Sequence, residues 1–198
     1  MVDNDLLLEF DGLIARLTIN RPDSRNPLGQ PGDGARFRAA ADAINANKNL
    51  RCVIMTGAGP AFSAGGDLKA MRDKSGYFGG SPDEIRDHYR RHIHGIVHAM
   101  WDIEVPVVGA INGPAIGLGG DVASLCDIRI AAASARFGAT FLKVGLLPGD
   151  GGAWLLQRVV GYAKAAEMSF TGDLLDAQQA LAIGLVSKVV PAASLLDE

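Results

Sequence analysis

Two stretches of this chain share one design: an apolar strand-like run, then a loop of Gly and Ala, then a short helical pattern with an Asp near its start. The first is VIMTGAGPAFSAGGDLKAM, Val53 to Met71, and the second is PVVGAINGPAIGLGGDVASLCD, Pro106 to Asp127. Side chains this small let another backbone or a ligand come close, and glycine supplies the positive φ angles of tight strand-to-helix turns. A helix N-terminus presents unpaired N–H groups and a partial positive charge. Two such ends aimed at one point make an oxyanion hole, with donors about 2.7–3.1 Å from the charged oxygen. Two ordinary tight turns have the same sequence appearance. Glycine is enriched accordingly, at 25 of 198 residues, roughly 13% against an average near 7%. It follows no collagen period, and there is no internal repeat.

The segments around them alternate strand and helix. Leu6–Phe10 and Leu13–Ile19 flank Asp11-Gly12 and predict a hairpin. Phe37, Ala40, Ala41 and Ile44 mark one face of a helix ending near Asn47, and Arg51–Thr56 follows as a strand. Ser81-Pro82-Asp83-Glu84 is a capping box with proline at the first helical position, and Ile85, Tyr89, Ile93, Ile96, Val97 and Met100 line one face behind it. Pro106–Ile111, Ile128–Ala131 and Leu185–Val190 read as strands. Leu118–Cys126, Trp154–Val160, Ala163–Ser169 and Ala177–Ile183 read as helices. The alternation predicts an α/β fold with a partly parallel sheet, and no linker divides residues 1–198, so one domain is expected.

Composition narrows the class. With 48% hydrophobic and 21% charged residues the chain has material for one core, and a formal charge of −3 without a basic arm gives no expectation of nucleic acid as a partner. The longest uncharged run, Val105–Gly120, is broken by two prolines and five glycines, so no membrane span is expected. The opening MVDNDLLLEF is acidic where a secretory leader is basic, which points to the cytoplasm. Cys52 and Cys126 have no metal-site spacing and are expected as buried free thiols.

The pieces INRPDSRNPL, PAFSAGGDLKAM, PVVGAINGPAIGLGGDVASLCDIRIAA and FGATFLKVGLLPGDGGAWLLQRVVG, followed by AKAAEM and ALAIGLVSKVV, stand in this order along nearly the whole chain. Together they resemble the crotonase family, also called the enoyl-CoA hydratase/isomerase superfamily. The resemblance implies that family's spiral of ββα units, an acyl-CoA thioester as substrate and partner, and no cofactor beyond the coenzyme A that the substrate carries. It implies that the backbone N–H groups of Gly66 and Leu118 are the oxyanion donors, and that Ser24, Arg25, Ala64, Asp67 and Leu68 cradle coenzyme A. It implies a homotrimer built by further helices after the VVP segment, whereas this sequence stops at Glu198, so that helical region is expected to be missing.

The family's two catalytic glutamates are not both matched. The first aligns with Asp121 and the second with Phe141, which cannot carry a proton but would line the substrate pocket. Asp150, nine positions past Phe141, is the candidate for the second carboxyl. Structural roles compete for both: Asp121 as a first-turn acid on the helix dipole, Asp150 as a helix N-cap. Hydration of a 2-enoyl-CoA is the expected reaction, with isomerisation or decarboxylation of an acyl-CoA as alternatives in the same family.

Other classes are weaker. GAGPAF puts Phe62 where a dinucleotide-binding turn has its third glycine. AFSAG is a loose nucleophile elbow around Ser63, but no histidine follows Asp121 or Asp150, so a serine hydrolase is a distant alternative. A catalytically silent acyl-CoA binder is another. His88, His92, His94 and His98 share one helix. On an α-helical wheel His92 falls within the apolar face and His88 at its edge while His94 and His98 point away, so no metal site is expected.

Overall fold

A computed structural model describes residues 5–198; residues 1–4, on which part of the acidic opening falls, lie outside the described residues. Ala15, Leu17 and Ile19 bury one face of β2 (Ile14–Ile19), which pairs antiparallel with β1 (Leu6–Asp11). The turn is Gly12-Leu13, one residue later than the Asp-Gly pattern suggests, because Asp11 itself pairs with Ile14 and Gly12 takes a φ of 57°. From β2 onward each neighbour in the large sheet is parallel, through β3 (Cys52–Gly57), β4 (Val107–Ile111), β6 (Ile128–Ala132) and β9 (Lys188–Val190).

Parallel strands need crossover connections, and the crossovers here share one form. The chain leaves the large sheet, makes a brief pairing in a second layer, and returns through helix. In that layer Pro27 pairs with Gly65, Ser63 with Ala115, and β5 (Ala115–Ile116) with β7 (Arg136–Gly138), all parallel; β8 (Leu175–Asp176) closes it antiparallel. The return helices are α1 (Asp33–Ala46), α2 (Leu68–Arg72) with α3 (Pro82–His88) and α4 (His94–Trp101), then α5 (Leu118–Leu125), α6 (Gly152–Val160), α7 (Tyr162–Thr171) and α8 (Ala177–Ala182). This is a spiral of ββα turns. Its second-layer strands run only two or three residues, too short to show alternation in sequence.

The expected apolar faces form the core. Phe37, Ala40, Ala41 and Ile44 of α1 pack with Ile96, Ala99 and Met100 of α4. Ser81 caps α3 with both halves of its capping box in place. The helix does not run on uniformly, however. Tyr89–Ile93 is a π-helical turn, closed by the His94 N–H on the Tyr89 carbonyl. The strand expected from Leu185 shrinks to Lys188–Val190 because the N–H groups of Leu185 and Val186 both turn back to the Ala180 carbonyl of α8. Both cysteines are free. Cys126 is buried, which pushes its thiol up to about 12, whereas Cys52 is only half-buried.

One buried side chain joins the loop after β2 to the loop after β3. Asn26 is fully buried at a φ of 55°; its amide donates to the Ala58 and Ala61 carbonyls (2.8 and 2.7 Å) and its oxygen accepts from the Arg21 N–H (2.7 Å). Beside it the Arg21 guanidinium bridges the buried Asp33 and the Pro27 carbonyl. Replacing Asn26 by alanine leaves buried backbone groups without this partner, and each such group costs about 1–3 kcal/mol. Asn26→Ala is expected to lower unfolding stability by roughly 2–4 kcal/mol, read as the shift in the urea midpoint.

Candidate active site

The parallel pairing of Ser63, Ala115 and Phe137 fixes the position of the residues three places further on: Gly66, Leu118 and Thr140 emerge side by side from the second layer. Gly65 and Gly117 make the approach possible. A side chain at Gly65 (φ 88°) would press on the Ile116 carbonyl, and Gly117 takes a φ of 53° at the start of α5. The Gly66 and Leu118 N–H groups have no internal acceptor among the described residues. Leu118 is also the first residue of the eight-residue α5, at its positive end.

Both donors border a cleft that holds about 80 Å³ of water-accessible space. Leu68, Met71, Ile93, Val144 and Leu146 make its walls apolar, the Tyr89 ring stands at one side, and the Phe141 ring lies against Gly117. Asp150 is the one carboxyl among the lining residues. It is 3% exposed, its Oδ1 has no hydrogen-bond partner, and burial pushes it up to about 7. The N-cap alternative for Asp150 fails. Gly151 occupies the N-cap of α6 at a φ of 93°, and no side chain caps that helix.

Asp121 is placed differently. It lies on α5 beside a smaller cavity, with about 20 Å³ of water-accessible space, and is not among the residues lining the cleft. Its carboxylate accepts from the Gly152 N–H at the start of α6, and a Cβ at Gly152 would overlap it. Burial, only partly offset by that hydrogen bond, pushes it up to about 7, and its Oδ2 has no partner. The candidate coenzyme contacts do come together. Arg25 is exposed and its carbonyl accepts from the Ala64 N–H (2.9 Å), which brings Ser24 and Arg25 beside Ala64–Leu68. Leu68 is exposed at the mouth, while Asp67 spends one oxygen capping α2 at the Ala70 N–H (2.9 Å).

Two expectations are corrected. Ser63 is fully buried, and its hydroxyl oxygen accepts from the Gly65 N–H (3.1 Å), so it is no exposed nucleophile and the hydrolase alternative falls. His94 does not point away: its ring bonds the Gly149 carbonyl. His88 and His92 instead stack on Tyr77, with His92 parallel to it at 3.9 Å, and burial pushes His92 below the usual histidine range. Tyr89, Met71 and Leu146 are lining residues that sequence reasoning missed as such. Tyr89 is legible as core-facing, and nothing in the pattern separates core from cleft.

Residues 9–198 match the family described as Enoyl-CoA hydratase/isomerase. The chain belongs to that family. It is 34% identical over 198 residues to a probable enoyl-CoA hydratase of Mycobacterium bovis, covering all of this chain and 73% of that one. It is 36% identical to the short-chain-enoyl-CoA hydratase of Clostridium acetobutylicum, over 98% of this chain and 72% of that one. The crystal structure of an enoyl-CoA hydratase from Bacillus anthracis superposes with a TM-score of 0.88 at 33% identity, covering 98% and 72% of the two chains. The crotonase fold is therefore shown by this family member's sequence and its structure together.

The two raised carboxyls set a pH dependence. Each binds its proton more tightly folded than unfolded, so its contribution to stability is fully present below about pH 4 and is lost as pH rises through about 7. Asp121→Asn removes one of them while keeping an acceptor for the Gly152 N–H. Its stability relative to the parent is expected to improve by about 3 kcal/mol between pH 5 and pH 8, measured by urea unfolding at both values.

Proposed function

We propose that this chain is an enoyl-CoA hydratase that adds water to a 2-enoyl-CoA to give a 3-hydroxyacyl-CoA, a step of fatty-acid metabolism. The observation that carries this is the convergence of two free N–H groups and one unpartnered buried carboxyl on a single apolar cleft. The thioester carbonyl accepts from Gly66 and Leu118, whose N–H groups stabilise the charge that grows on that oxygen as the enolate forms. Asp150 takes a proton from water as the hydroxide adds to C3, then returns a proton to C2. The sum is one water added and the carboxylate regenerated. Residues 1–198 act as one acyl-CoA-binding core. Arg25, with Ser24, Ala64, Asp67 and Leu68 around it, holds the coenzyme, its guanidinium contacting phosphate. Coenzyme A arrives as part of the substrate and no separate cofactor is used.

Two further parts belong to the same proposal. The protein works in the cytoplasm; among the described residues no helix is long and apolar enough to cross a membrane. It works as a homo-oligomer, such as a trimer, a role supported by the exposed apolar side chains of Leu147, Tyr162 and Phe170 beside α6 and α7. An isomerase is the second reading, favoured by Phe141, because moving a proton between carbons needs only one carboxyl.

Mass spectrometry of crotonyl-CoA and a 3-enoyl-CoA incubated with the protein in deuterated water separates these. Gain of water is expected; double-bond migration with deuterium uptake and no added water would mean the isomerase. Asp150→Asn is expected to lower kcat by about 10²–10⁴-fold while the CoA ester still binds. Full turnover in that variant would remove Asp150 from the chemistry.

A further inference from the structure

The four histidines have no part in the chemistry above, yet one of them is built into the support of the cleft. In an α-helix each residue turns by about 100°, so positions 89 and 94 would point about 140° apart. The π turn removes that divergence. The His94 N–H bonds the carbonyl five residues back, at Tyr89, and the wider turn brings the two side chains onto one face. Their rings meet edge to face, 5.2 Å between centroids at 88°.

Both side chains then reach the same residue. The His94 Nε2 lies 2.9 Å from the Gly149 carbonyl, an acceptor, so that nitrogen carries the hydrogen. The Tyr89 hydroxyl lies 3.2 Å from where a Cβ on Gly149 would stand, so the ring rests directly on that backbone. On the other side of Asp150, a Cβ at Gly151 would touch Val97 of α4 at 3.5 Å. The residues before and after Asp150 therefore both rest on the helical segment that the π turn re-aims. Asp150 has no partner on Oδ1, and α6 has no side-chain cap to steady its start. The carboxyl's direction is set by how its backbone is held.

We propose that His94 is a positioning residue for Asp150: donating to the Gly149 carbonyl, with the Tyr89 ring packed beneath, it fixes the loop that aims the Asp150 carboxyl into the cleft. This role rests on Asp150 being the proton carrier, so the test includes a variant that reads that assignment separately. Hydration of crotonyl-CoA is followed for the full chain and for H94A, H94Q, D150N and the H94A/D150N double variant, each checked by thermal melting.

H94A is expected to lower kcat by about 10–100-fold, the cost of misplacing a reacting group by a fraction of an ångström to an ångström. Its KM should stay within about two-fold, since substrate binding is not what His94 supports. H94Q, whose amide N–H can also donate to the carbonyl, is expected to recover most of the loss. On the D150N background H94A should cost nothing further, because its effect passes through Asp150. Wild-type kcat in H94A beside an inactive D150N would overturn the proposal, as would losses that multiply in the double variant. An active D150N refutes the proton-carrier assignment instead. If H94A does not fold, H94F, which keeps ring packing on Tyr89 without the donor, is compared with H94Q against the same outcomes.

Discussion

A single parallel pairing, Ser63 with Ala115, sets the level at which two segments leave the second layer, and the site is assembled from the turn and helix start immediately beyond each of them. The pairing is locked by contact between backbones. A Cβ at Gly113 would enter the Pro60 carbonyl, one at Gly119 would meet the Ser63 carbonyl and hydroxyl, and one at Gly65 would press on Ile116. These glycines do more than relax turns. They let three stretches of main chain lie closer than any side chain permits, so a slip of one residue meets steric overlap and would flip every alternating side chain. Held in register, Gly66 and Leu118 keep their N–H groups free of acceptors among the described residues.

Burial then decides what those groups can do. An N–H at a helix start in water is worth little to a ligand, because water already satisfies it. Against apolar walls such as Met71, Ile93 and Leu146 the same dipole acts at lower effective dielectric and needs no reorganisation when charge develops. The same low polarity raises the carboxyls. Asp150 and Asp121 share a cause, loss of water, and differ in surroundings: one opens on the cleft, the other on the Gly152 N–H at the start of α6.

Legibility in the sequence depends on length and period. The faces of α1 and α4, the strands of the large sheet and the Ser81 capping box each carry a pattern long enough to read. Among the pieces that carry the family resemblance are the two Gly/Ala loops, whose Gly66 and Leu118 border the cleft. The second layer is illegible because two-residue strands have no period. The π turn is illegible for another reason: inserting one residue into a helical turn leaves the apolar spacing of Ile93, Ile96 and Met100 intact while rotating Tyr89 against His94. An α-helical wheel therefore places the buried face correctly and sends His94 the wrong way. Asp121 and Asp150 cannot be ranked from sequence, because which of two nearby acids opens on a cleft depends on which side of the α6 N-terminus each backbone approaches.

Phe141 turns from an anomaly into part of the electrostatic design once the cleft is seen as a whole. Two carboxylates close together in an apolar pocket cannot both ionise, so one is held protonated at the expense of the other. With a phenyl ring at position 141, Asp150 has no acidic neighbour among the residues lining the cleft, and burial alone sets its proton affinity. A group poised near 7 divides its time between base and acid at neutral pH, which is where one carboxyl can serve both halves of a proton transfer. Using one group for both halves also fixes a geometry. In the proposed hydration, the proton taken from water and the proton given to C2 would pass through the same side chain, so hydrogen and hydroxyl would be added to the same face of the double bond. The direction of that one carboxyl then matters more than it would in a pair.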